Sequence, residues 1–512
     1  MEHYFVDLYT KEYPADETII EFTAENADEN LKLVCERALL EKYGEKIPEF
    51  IIERYNFEIE NTIKHGFAPL YIFASLLVKK SLELGYSYNL NSRTGGSFIA
   101  YLMGISDCNP LPPHYYCPKC KHTELVDAEK YPSGFDLNCY GAKQKACPHC
   151  GEQLIGDGHN IPAEFFLGLD GDMFPSFNFN FSGRIDKIVR SMYIEKGNSV
   201  NGIAIISVVD NTDPAKFLEY INLQFPIFLH RFEIQRSLII SELKLMEEFT
   251  GVKAKSIKFS EIDIHSFFSE DRLIDLPLDD KFVKDVLAIM PPVRFSDFLR
   301  IMGLTDDSGG MIKNDEELLN DIFSPESLIA SRDDVMLTLL RYGIDRKTAY
   351  AISIIAMKGK GAELIPIYHE TLLHEKGVPE QYIESLKRIK HLYPKAYLVE
   401  DTVAQLRMIW YKINYPAAFY AAILSFIATN NEYDCDLLVL EDSEYFKYIL
   451  NKDNLSNQRK VFFEIALECC ARDIRFDFSL YKYWSDTDLY HMSIFMPEGN
   501  IIHLPYYTNV NL

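Results

Sequence analysis

The stretch from Pro112 to Gly183 opens with Pro-Pro-His-Tyr-Tyr-Cys117-Pro-Lys-Cys120, continues with Cys147-Pro-His-Cys150 and closes on Pro-Ser-Phe-Asn-Phe-Asn-Phe-Ser-Gly. Its two Cys-x-x-Cys pairs predict a tetrahedral Zn2+ site with four thiolate ligands, Cys117, Cys120, Cys147 and Cys150. Four cysteine ligands leave no coordination position open, so the expected metal is structural rather than catalytic. The alternative is that these are four unrelated buried thiols.

The residues that surround these pairs are weaker candidates for the metal. Cys139 lies in the loop between the two pairs, and His122 and His149 could substitute for a cysteine. Beyond them, residues 165–181 alternate between aromatic and polar side chains, which predicts a β-strand. The end of that strand is the Pro-Ser-Phe-Asn-Phe-Asn-Phe-Ser-Gly segment at residues 175–183.

Composition sets bounds on the protein class. The chain has 512 residues, of which 47% are hydrophobic and 25% charged, and its net charge is −24. These values are typical of a globular protein with about three compact units. Strong acidity argues against indiscriminate binding of polyanions, although it leaves room for a local basic groove. It could equally serve only to keep the protein in solution.

The sequence also indicates where the protein is located and whether its cysteines form disulfides. We find no apolar run of about 18 residues and no basic-then-apolar N-terminus, so we expect no membrane span, no secretory signal and a cytoplasmic location. The ten cysteines fit metal binding in a reducing compartment better than a disulfide framework.

Helical periodicity dominates the start of the chain. Residues 30–64 predict two helices with a break near Gly44 and Pro48, and residues 66–84 predict a third. Residues 85–90 predict a short strand. Ser92-Arg93-Thr-Gly95-Gly96-Ser97 then leads into a helix, and free N–H groups at such a turn can bind a phosphate. Most Gly/Ser-rich turns of this kind, however, only reverse the chain and bind no phosphate.

The second half is read as two strands followed by helices. Residues 202–209 and 225–234 predict strands, residues 236–250 predict a helix, and the pattern is helical from about residue 280 almost to the end. Basic residues are denser in this helical part. They could form solvated helix faces or could follow a nucleic-acid backbone, and the candidates for contacts are Lys358, Lys360, Lys390, Lys395, Arg407 and Lys412.

Several of these strings resemble the PolC-type alpha subunit of bacterial DNA polymerase III, a C-family polymerase. Residues 109–120, 133–136, 147–151 and 157–162 are similar to the zinc-bearing part of its palm, and Ser92-Arg93 to its phosphate loop. Residues 331–336, 358–361, 389–396 and 407–416 are similar to its helical fingers. The resemblance implies an α+β fold, in which a nucleotidyltransferase-like palm with a mixed β-sheet and a zinc knuckle precedes a mostly α-helical fingers domain.

The resemblance also implies a missing catalytic centre. The family strand reads Pro-Asp-Ile-Asp-Leu-Asn-Phe-Ser-Gly, and its two aspartates bind Mg2+; here Ser176 and Asn178 take their places. The third family aspartate corresponds best to Glu233. Two-metal phosphoryl transfer needs several anionic oxygens, so the catalytic set is degenerate and catalytic Mg2+ is not expected to bind. Asp170 and Asp172 have the right spacing but already have counterparts in the family.

Further departures point the same way. The family string Lys-Ala-His-Ala-Ala-Ala-Tyr is Lys395-Ala-Tyr-Leu-Val-Glu400-Asp401 here, which adds two negative charges near the expected nucleotide phosphates. The thumb is expected to be reduced to residues 184–225. The exonuclease and PHP domains, the duplex-binding region and the clamp-binding tail are expected to be absent.

This interpretation divides the chain into five parts. We expect a helical lead-in (1–65), a first palm part (66–186) with the zinc knuckle (112–160), a reduced thumb and second palm part (187–250), helical fingers (251–430), and a C-terminal region (431–512).

Three functions remain open from the sequence. The leading hypothesis is a pseudoenzyme that binds primer–template or single-stranded DNA, or a replication protein, without catalysis. The second is an active minimal DNA polymerase that uses Glu233 with other carboxylates. The third is an interaction module that binds proteins and no DNA.

Overall fold

The computed structural model describes residues 4–8, 17–24, 26–182, 202–208, 229–269, 281–305, 329–428, 442–451, 457–477 and 495–504. The strands are β1 Tyr4–Leu8, β2 Glu17–Ala24, β3 Tyr88–Leu90, β4 His114–Tyr116, β5 Thr123–Leu125, β6 Ile155–Asp157, β7 Phe177–Phe181, β8 Gly202–Val208, β9 Leu229–Arg236, β10 Arg475–Asp477, β11 Met496–Glu498 and β12 Ile501–His503.

Helices make up most of the remaining structure. They are α1 Ala27–Tyr43, α2 Glu49–Lys64, α3 Ala68–Glu83, α4 Phe98–Leu102, α5 Glu164–Leu167, α6 Leu238–Thr250, α7 Ile264–Ser269, α8 Lys281–Ile289, α9 Phe295–Thr305, α10 Arg332–Arg341, α11 Arg346–Met357, α12 Gly361–Tyr368, α13 Glu370–Glu375, α14 Glu380–Arg388, α15 Lys395–Asn414, α16 Pro416–Ala428, α17 Ser443–Leu450 and α18 Asn457–Ala471. The fold is therefore mixed α and β, rich in helix with small sheets.

A six-stranded mixed sheet lies at the centre of the N-terminal half. Its order is β1-β2-β8-β9-β7-β3; the pairs β8/β9 and β9/β7 are parallel, and the other pairs are antiparallel. The expectation that residues 1–65 form a purely helical lead-in is wrong at its start, because β1 is an edge strand of this sheet and β2 lies between β1 and β8. The run Thr18-Ile-Ile-Glu-Phe-Thr in β2 is rich in β-branched residues, which favour strands.

Strand β7 has one apolar and one polar face. Successive side chains of a strand point to opposite faces, and the buried Phe177, Phe179 and Phe181 pack with helices α1–α4 in one hydrophobic core. Asn178 and Asn180 therefore lie on the other face. The predicted strand over residues 165–181 is too long, because residues 164–167 form helix α5 instead.

The other helical expectations are confirmed for the described residues, except that residues 475–477, 496–498 and 501–503, where helix was expected almost to the end, form strands β10–β12. The break at Gly44 and Pro48 separates α1 from α2, and α6 ends at Gly251, which has the positive φ of a helix C-terminus. Strands β8 and β9 coincide with the two strands predicted there, apart from residues 209 and 225–228, which lie outside the described residues.

A second, larger core joins helices α6–α18 to the small C-terminal sheet of β10, β12 and β11. Its central element is α15, which contributes Leu406, Met408, Ile409 and Tyr411, all essentially fully buried. The N-terminal end of α15 packs against the turn at residues 93–96. This contact brings the predicted phosphate loop and the predicted fingers together. Across the described ranges, no helix has the length and apolar character needed to cross a membrane.

Candidate functional site

The four cysteines predicted to bind a metal lie together. Their sulfur atoms are all within 4.8 Å of one another; Cys117 Sγ lies 3.5 Å from Cys150 Sγ, and Cys120 Sγ lies 3.4 Å from Cys147 Sγ. A tetrahedral Zn2+ site with Zn–S bonds of about 2.3 Å separates its sulfurs by about 3.8 Å. The cluster therefore has the size and the donor set of a four-thiolate zinc site.

A small three-stranded sheet holds the cluster in place. Its order is β5-β4-β6, and Cys117 follows directly after β4. Two glycines allow close backbone approach beneath it: a Cβ atom on Gly134 would lie 2.0 Å from the Asp157 carbonyl oxygen, and one on Gly156 would lie 2.1 Å from that of Gly134. Larger residues at these positions would force the short helical turn at Gly134–Asn138 away from strand β6.

Local hydrogen bonds favour a thiolate in the cluster. Burial raises the pKa of Cys117, but hydrogen bonds from the backbone N–H groups of Cys120 and Lys119 outweigh burial, and the pKa falls to about 6. Cys139 is not part of the cluster, since its thiol donates to the Asp136 carbonyl oxygen at 3.2 Å. The rings of His122 and His149 lie 4.5 Å apart, but the four sulfurs already complete a ligand set.

The positions expected to be degenerate lie beside the predicted phosphate loop, and Ser176 is hydrogen-bonded to it. The Ser176 backbone N–H donates to Thr94 Oγ1 at 2.9 Å, and its carbonyl accepts from the Ser92 hydroxyl at 2.7 Å. In the parallel pairing of β7 with β9, Asn178 lies opposite Glu233, whose side chain is outside the described part. The backbone thus places Glu233 on the strand next to the two substituted positions.

The described side chains provide no cluster of carboxylates at this strand. No group of three Asp, Glu, His or Cys with metal-ligand spacing includes a described residue of β3 or β7. Asp170 and Asp172 are both exposed, in the bend that precedes β7.

A cavity of about 280 Å³ lies between the polar face of the sheet and α15. Asn89, Asn91 and Asn180 line it from the strand side, and Glu400 and Asp401 line it from the helix. Burial, followed by the charge of Asp107, raises the pKa of Glu400 to about 7. Its carboxylate accepts from the Ser106 hydroxyl at 3.0 Å and the Asp107 N–H at 2.9 Å. This cavity contains acidic groups and no basic ones among its lining residues.

A carboxylate from another helix of the protein, that of Glu58, occupies the position where the predicted phosphate loop would bind an anion. Glu58, fully buried on α2, accepts from the N–H groups of Phe98 (3.0 Å) and Ile99 (3.2 Å) and from the Ser97 hydroxyl (2.9 Å). Arg54 forms an ion pair with Glu58. These donors at the start of α4 are therefore already used by an internal anion, which the helix dipole also favours.

The other loop residues are buried by packing. Gly95 and Gly96 are buried against the Ala396 side chain, and the Gly96 carbonyl accepts from Arg54 at 3.0 Å. Arg93 is partly buried and donates to the Phe174 carbonyl at 2.8 Å; burial lowers the pKa of its guanidinium. Sequence reasoning missed Glu58, although a lone charge on the apolar face formed by Ile51, Tyr55 and Ile59 was a usable signal.

Three of the predicted basic contacts form one exposed surface, which we call the basic surface: Lys358, Lys360 and Lys390. All three side chains are exposed. Gly359, at φ 67°, brings the two segments together, since a Cβ there would lie 2.4 Å from the Lys390 carbonyl oxygen. Helix α12 follows directly, and its Tyr368 is 68% exposed.

The remaining basic residues are placed differently. Lys412 is fully buried with its ammonium 3.3 Å from Glu468, so its prediction as a DNA contact is wrong. Helices on both sides of α15 cover it. Lys395 is 5% exposed and lines a cavity, and Arg407 is partly buried. Burial opposes ionisation of Asp107, but the charges of Lys255 and then Arg407 outweigh it and lower the pKa of that carboxyl. Lys395 and Arg407 therefore do not lie on the exposed basic surface.

Taken together, the fold and site define an α+β protein that carries a cluster of four cysteines with the geometry of a zinc site, while the described side chains of β3 and β7 include no cluster of carboxylates. Residues 29–214 match the family model "Bacterial DNA polymerase III alpha NTPase domain". The chain is also similar to three proteins described as DNA polymerase III PolC-type. It is 27% identical to that of Thermotoga maritima, over 98% of this chain and 42% of the relative.

The other two comparisons agree. Identity to the protein of Bacillus subtilis is 27% over 94% of this chain and 39% of the relative, and to that of Ureaplasma parvum 30% over 79% and 33%. The resemblance inferred from the motifs is thus confirmed: the chain is a relative of PolC-type DNA polymerase III. It spans about 42% of the length of the first of these relatives.

Proposed function

We propose that this protein is a DNA-binding relative of the polymerase core that does not transfer nucleotides. The observation that carries the proposal is the pair Ser176 and Asn178, which places a hydroxyl and an amide where the family strand has two Mg2+-binding carboxylates. A single neighbouring Glu233 cannot hold two divalent ions a few Å apart. The polar face of the sheet would then serve binding alone.

The acidic cavity supports the loss of catalysis. A nucleotide that approached the polar face of β7 would meet Glu400 and Asp401 from α15. Anionic phosphates are repelled by carboxylates at short range, and Mg2+ normally offsets that repulsion. The arrangement therefore disfavours a nucleoside triphosphate at this face.

The basic surface is the feature that favours DNA as the partner. Lys358, Lys360 and Lys390 can contact successive phosphates, and the exposed Tyr368 on α12 offers an aromatic ring on which a base can stack. A protein-binding role without DNA is the second candidate, and the net charge of −24 favours it. A replication protein would then be the partner.

We assign the structural parts by the same resemblance. The six-stranded sheet with α3 and α4 would be the palm, residues 112–160 its zinc knuckle with Zn2+ on the four cysteines, and residues 251–430 the fingers. Residues 187–250 would contain the reduced thumb and second palm part. The cytoplasm is the expected location.

Primer extension tests the absence of catalysis. The full chain should extend no labelled primer on a template with either Mg2+ or Mn2+, because the carboxylates that would hold these ions are missing. Extension by the wild type that disappears in both Glu233→Gln and Asp172→Asn would reject the proposal. Activity that these variants retain would instead identify a contaminating polymerase.

A further inference from the structure

A second and larger cavity lies on the opposite side of the start of α15 from the acidic one. It has a volume of about 490 Å³ and is bounded by the zinc-bearing segment, α9, α10, α14 and the first residue of α15. Its polar side chains include Arg294, Arg300, Arg341, Lys395, Asp334 and Tyr382. We call it the basic cavity. It shares no lining residue with the cavity at strand β7.

The charge of the basic cavity is opposite to that of the whole chain. Four basic side chains and two acidic ones, Asp334 and Glu129, line it, whereas the protein carries a net charge of −24. The Arg341 guanidinium lies 3.8 Å from the exposed Glu129, which is a weak pairing in solvent. The lining is therefore net positive and suits an anionic ligand.

Lys395 places a buried ammonium against this space. Its side chain is 6% exposed, and the carboxylate recorded beside it, that of Asp334, lies 3.7 Å away, which is beyond hydrogen-bond distance. The neighbouring Asp333 accepts instead from the Lys395 backbone N–H at 2.8 Å. An ammonium has three N–H donors, so it can bind further acceptors besides its ion-pair partner Asp334. A ligand anion in the cavity would supply them.

Tyr382 offers a second buried donor. The residue is 8% exposed and lines the same cavity, and its hydroxyl makes no well-aligned hydrogen bond to the protein, although the Thr338 side chain lies beside it. Buried hydroxyls without a partner are uncommon in folded proteins. The Lys395 ammonium and the Tyr382 hydroxyl, which belong to two different helices, thus line the same cavity.

We propose that the basic cavity binds a small phosphorylated molecule of about nucleotide size, with its phosphate held by the Lys395 ammonium and the Tyr382 hydroxyl. A phosphate has several acceptor oxygens and more than one negative charge, whereas a carboxylate has two oxygens and one charge. The four basic side chains of the cavity therefore suit a phosphate better than a carboxylate. The volume lies within the range of roughly 300–1,000 Å³ that is typical of small-molecule pockets. Arg300 and Arg341 would complete the site from its rim.

Calorimetric titration of the full chain with three probes tests the site: inorganic phosphate, a nucleoside monophosphate and the corresponding nucleoside. The nucleoside monophosphate should bind, inorganic phosphate should compete with it, and the nucleoside should bind at least ten times more weakly. Lys395→Met removes the charge at similar length and should weaken binding of the monophosphate at least tenfold. Lys376→Met, the same change at an exposed lysine outside both cavities and outside the basic surface, should leave it unchanged.

Tyr382→Phe provides a test that is independent of the folding of the lysine variant. It removes only a hydroxyl without a well-formed hydrogen bond, so the melting temperature should not fall, while binding of the nucleoside monophosphate should weaken several-fold. Absence of binding by both phosphate compounds overturns the proposal. So does equal binding of nucleoside and monophosphate, or unchanged affinity in folded Lys395→Met or Tyr382→Phe. DNA binding by the basic surface is measured separately and does not decide this outcome.

Discussion

At the scale of single residues, the proposed absence of catalysis depends on two side chains. Ser176 and Asn178 change the chemistry of a strand face without changing the strand, because β7 still buries Phe177, Phe179 and Phe181 on its other side. Strand position depends on the apolar face, and metal binding depends on the polar one. On the proposal made above, these two residues would remove metal binding and leave the packing of β7 unchanged.

His159 is expected to make stability depend on pH. It is fully buried beside Phe135, and burial lowers its pKa from 6.5 to about 3. The unfolded chain binds a proton at this histidine below about pH 6.5 and the folded protein does not until about pH 3. Stability is thus present above pH 6.5 and is lost by up to about 1.4 kcal/mol per pH unit as the pH falls through that window.

Urea unfolding between about pH 6 and about pH 4 measures this slope. In His159→Asn, which can still accept from the Ser133 hydroxyl, the free energy of unfolding should fall less steeply with decreasing pH. The exposed His374→Asn is the matched control and should keep the wild-type slope. An equally steep fall in His159→Asn would show that another group is responsible.

Lys412 is expected to act on stability and not on DNA. Lys412→Met removes one partner of a buried ion pair and leaves Glu468 with Arg472 alone. Loss of a partner from a buried pair costs about 3 kcal/mol. Chemical denaturation should show a decrease of this size, while DNA affinity of the folded variant stays at the wild-type value. A loss of DNA affinity without loss of stability would restore the DNA role suggested by the sequence.

At the scale of helices and strands, the sequence predicted those features that depend on residues close together in the chain. The break at Gly44 and Pro48, the helix that ends at Gly251 and the two Cys-x-x-Cys pairs all follow from short-range patterns. Strand β7 came out shorter than predicted because Gly168 and Gly171, both at positive φ, turn the chain between α5 and β7. Alternating aromatic residues alone could not reveal that turn.

Features that depend on packing between distant elements were not predictable. The helix start at residue 98 resembles a phosphate site in sequence, and only the packing of α2 shows that Glu58 occupies its N–H groups. The burial of Lys412 likewise depends on which helices cover α15. A lysine in a helical pattern does not by itself reveal whether it faces solvent.

The four-cysteine element is expected to be required for folding. Zinc affinity contributes directly to folding free energy when the site forms only in the folded state. Cys117→Ser should reduce the zinc content, from about one ion per chain, and the soluble yield. Cys139→Ser is the matched control, because its side chain lies outside the cluster and a serine can still donate to the Asp136 carbonyl. Equal zinc content and yield in both variants would reject the assignment.

At the scale of the whole molecule, charge is divided between distinct places. The acidic cavity lies between the sheet and α15, and the basic cavity is lined by the first residue of α15. The basic surface is exposed, although the whole chain carries a net charge of −24. Local fields of this kind can select a polyanion even when net charge opposes it. The net charge of the sequence could not indicate this division, since it depends on how the helices assemble.

The most direct test is the binding of fluorescent primer–template DNA to the full chain over a series of salt concentrations. With three phosphate contacts from Lys358, Lys360 and Lys390, affinity should fall by about 40-fold between about 50 and about 200 mM salt. Replacing all three lysines by glutamine should remove most of that dependence. Tight, salt-sensitive binding that the triple variant loses is the result predicted here. Absence of binding at low salt would contradict the DNA-binding account and favour a protein partner.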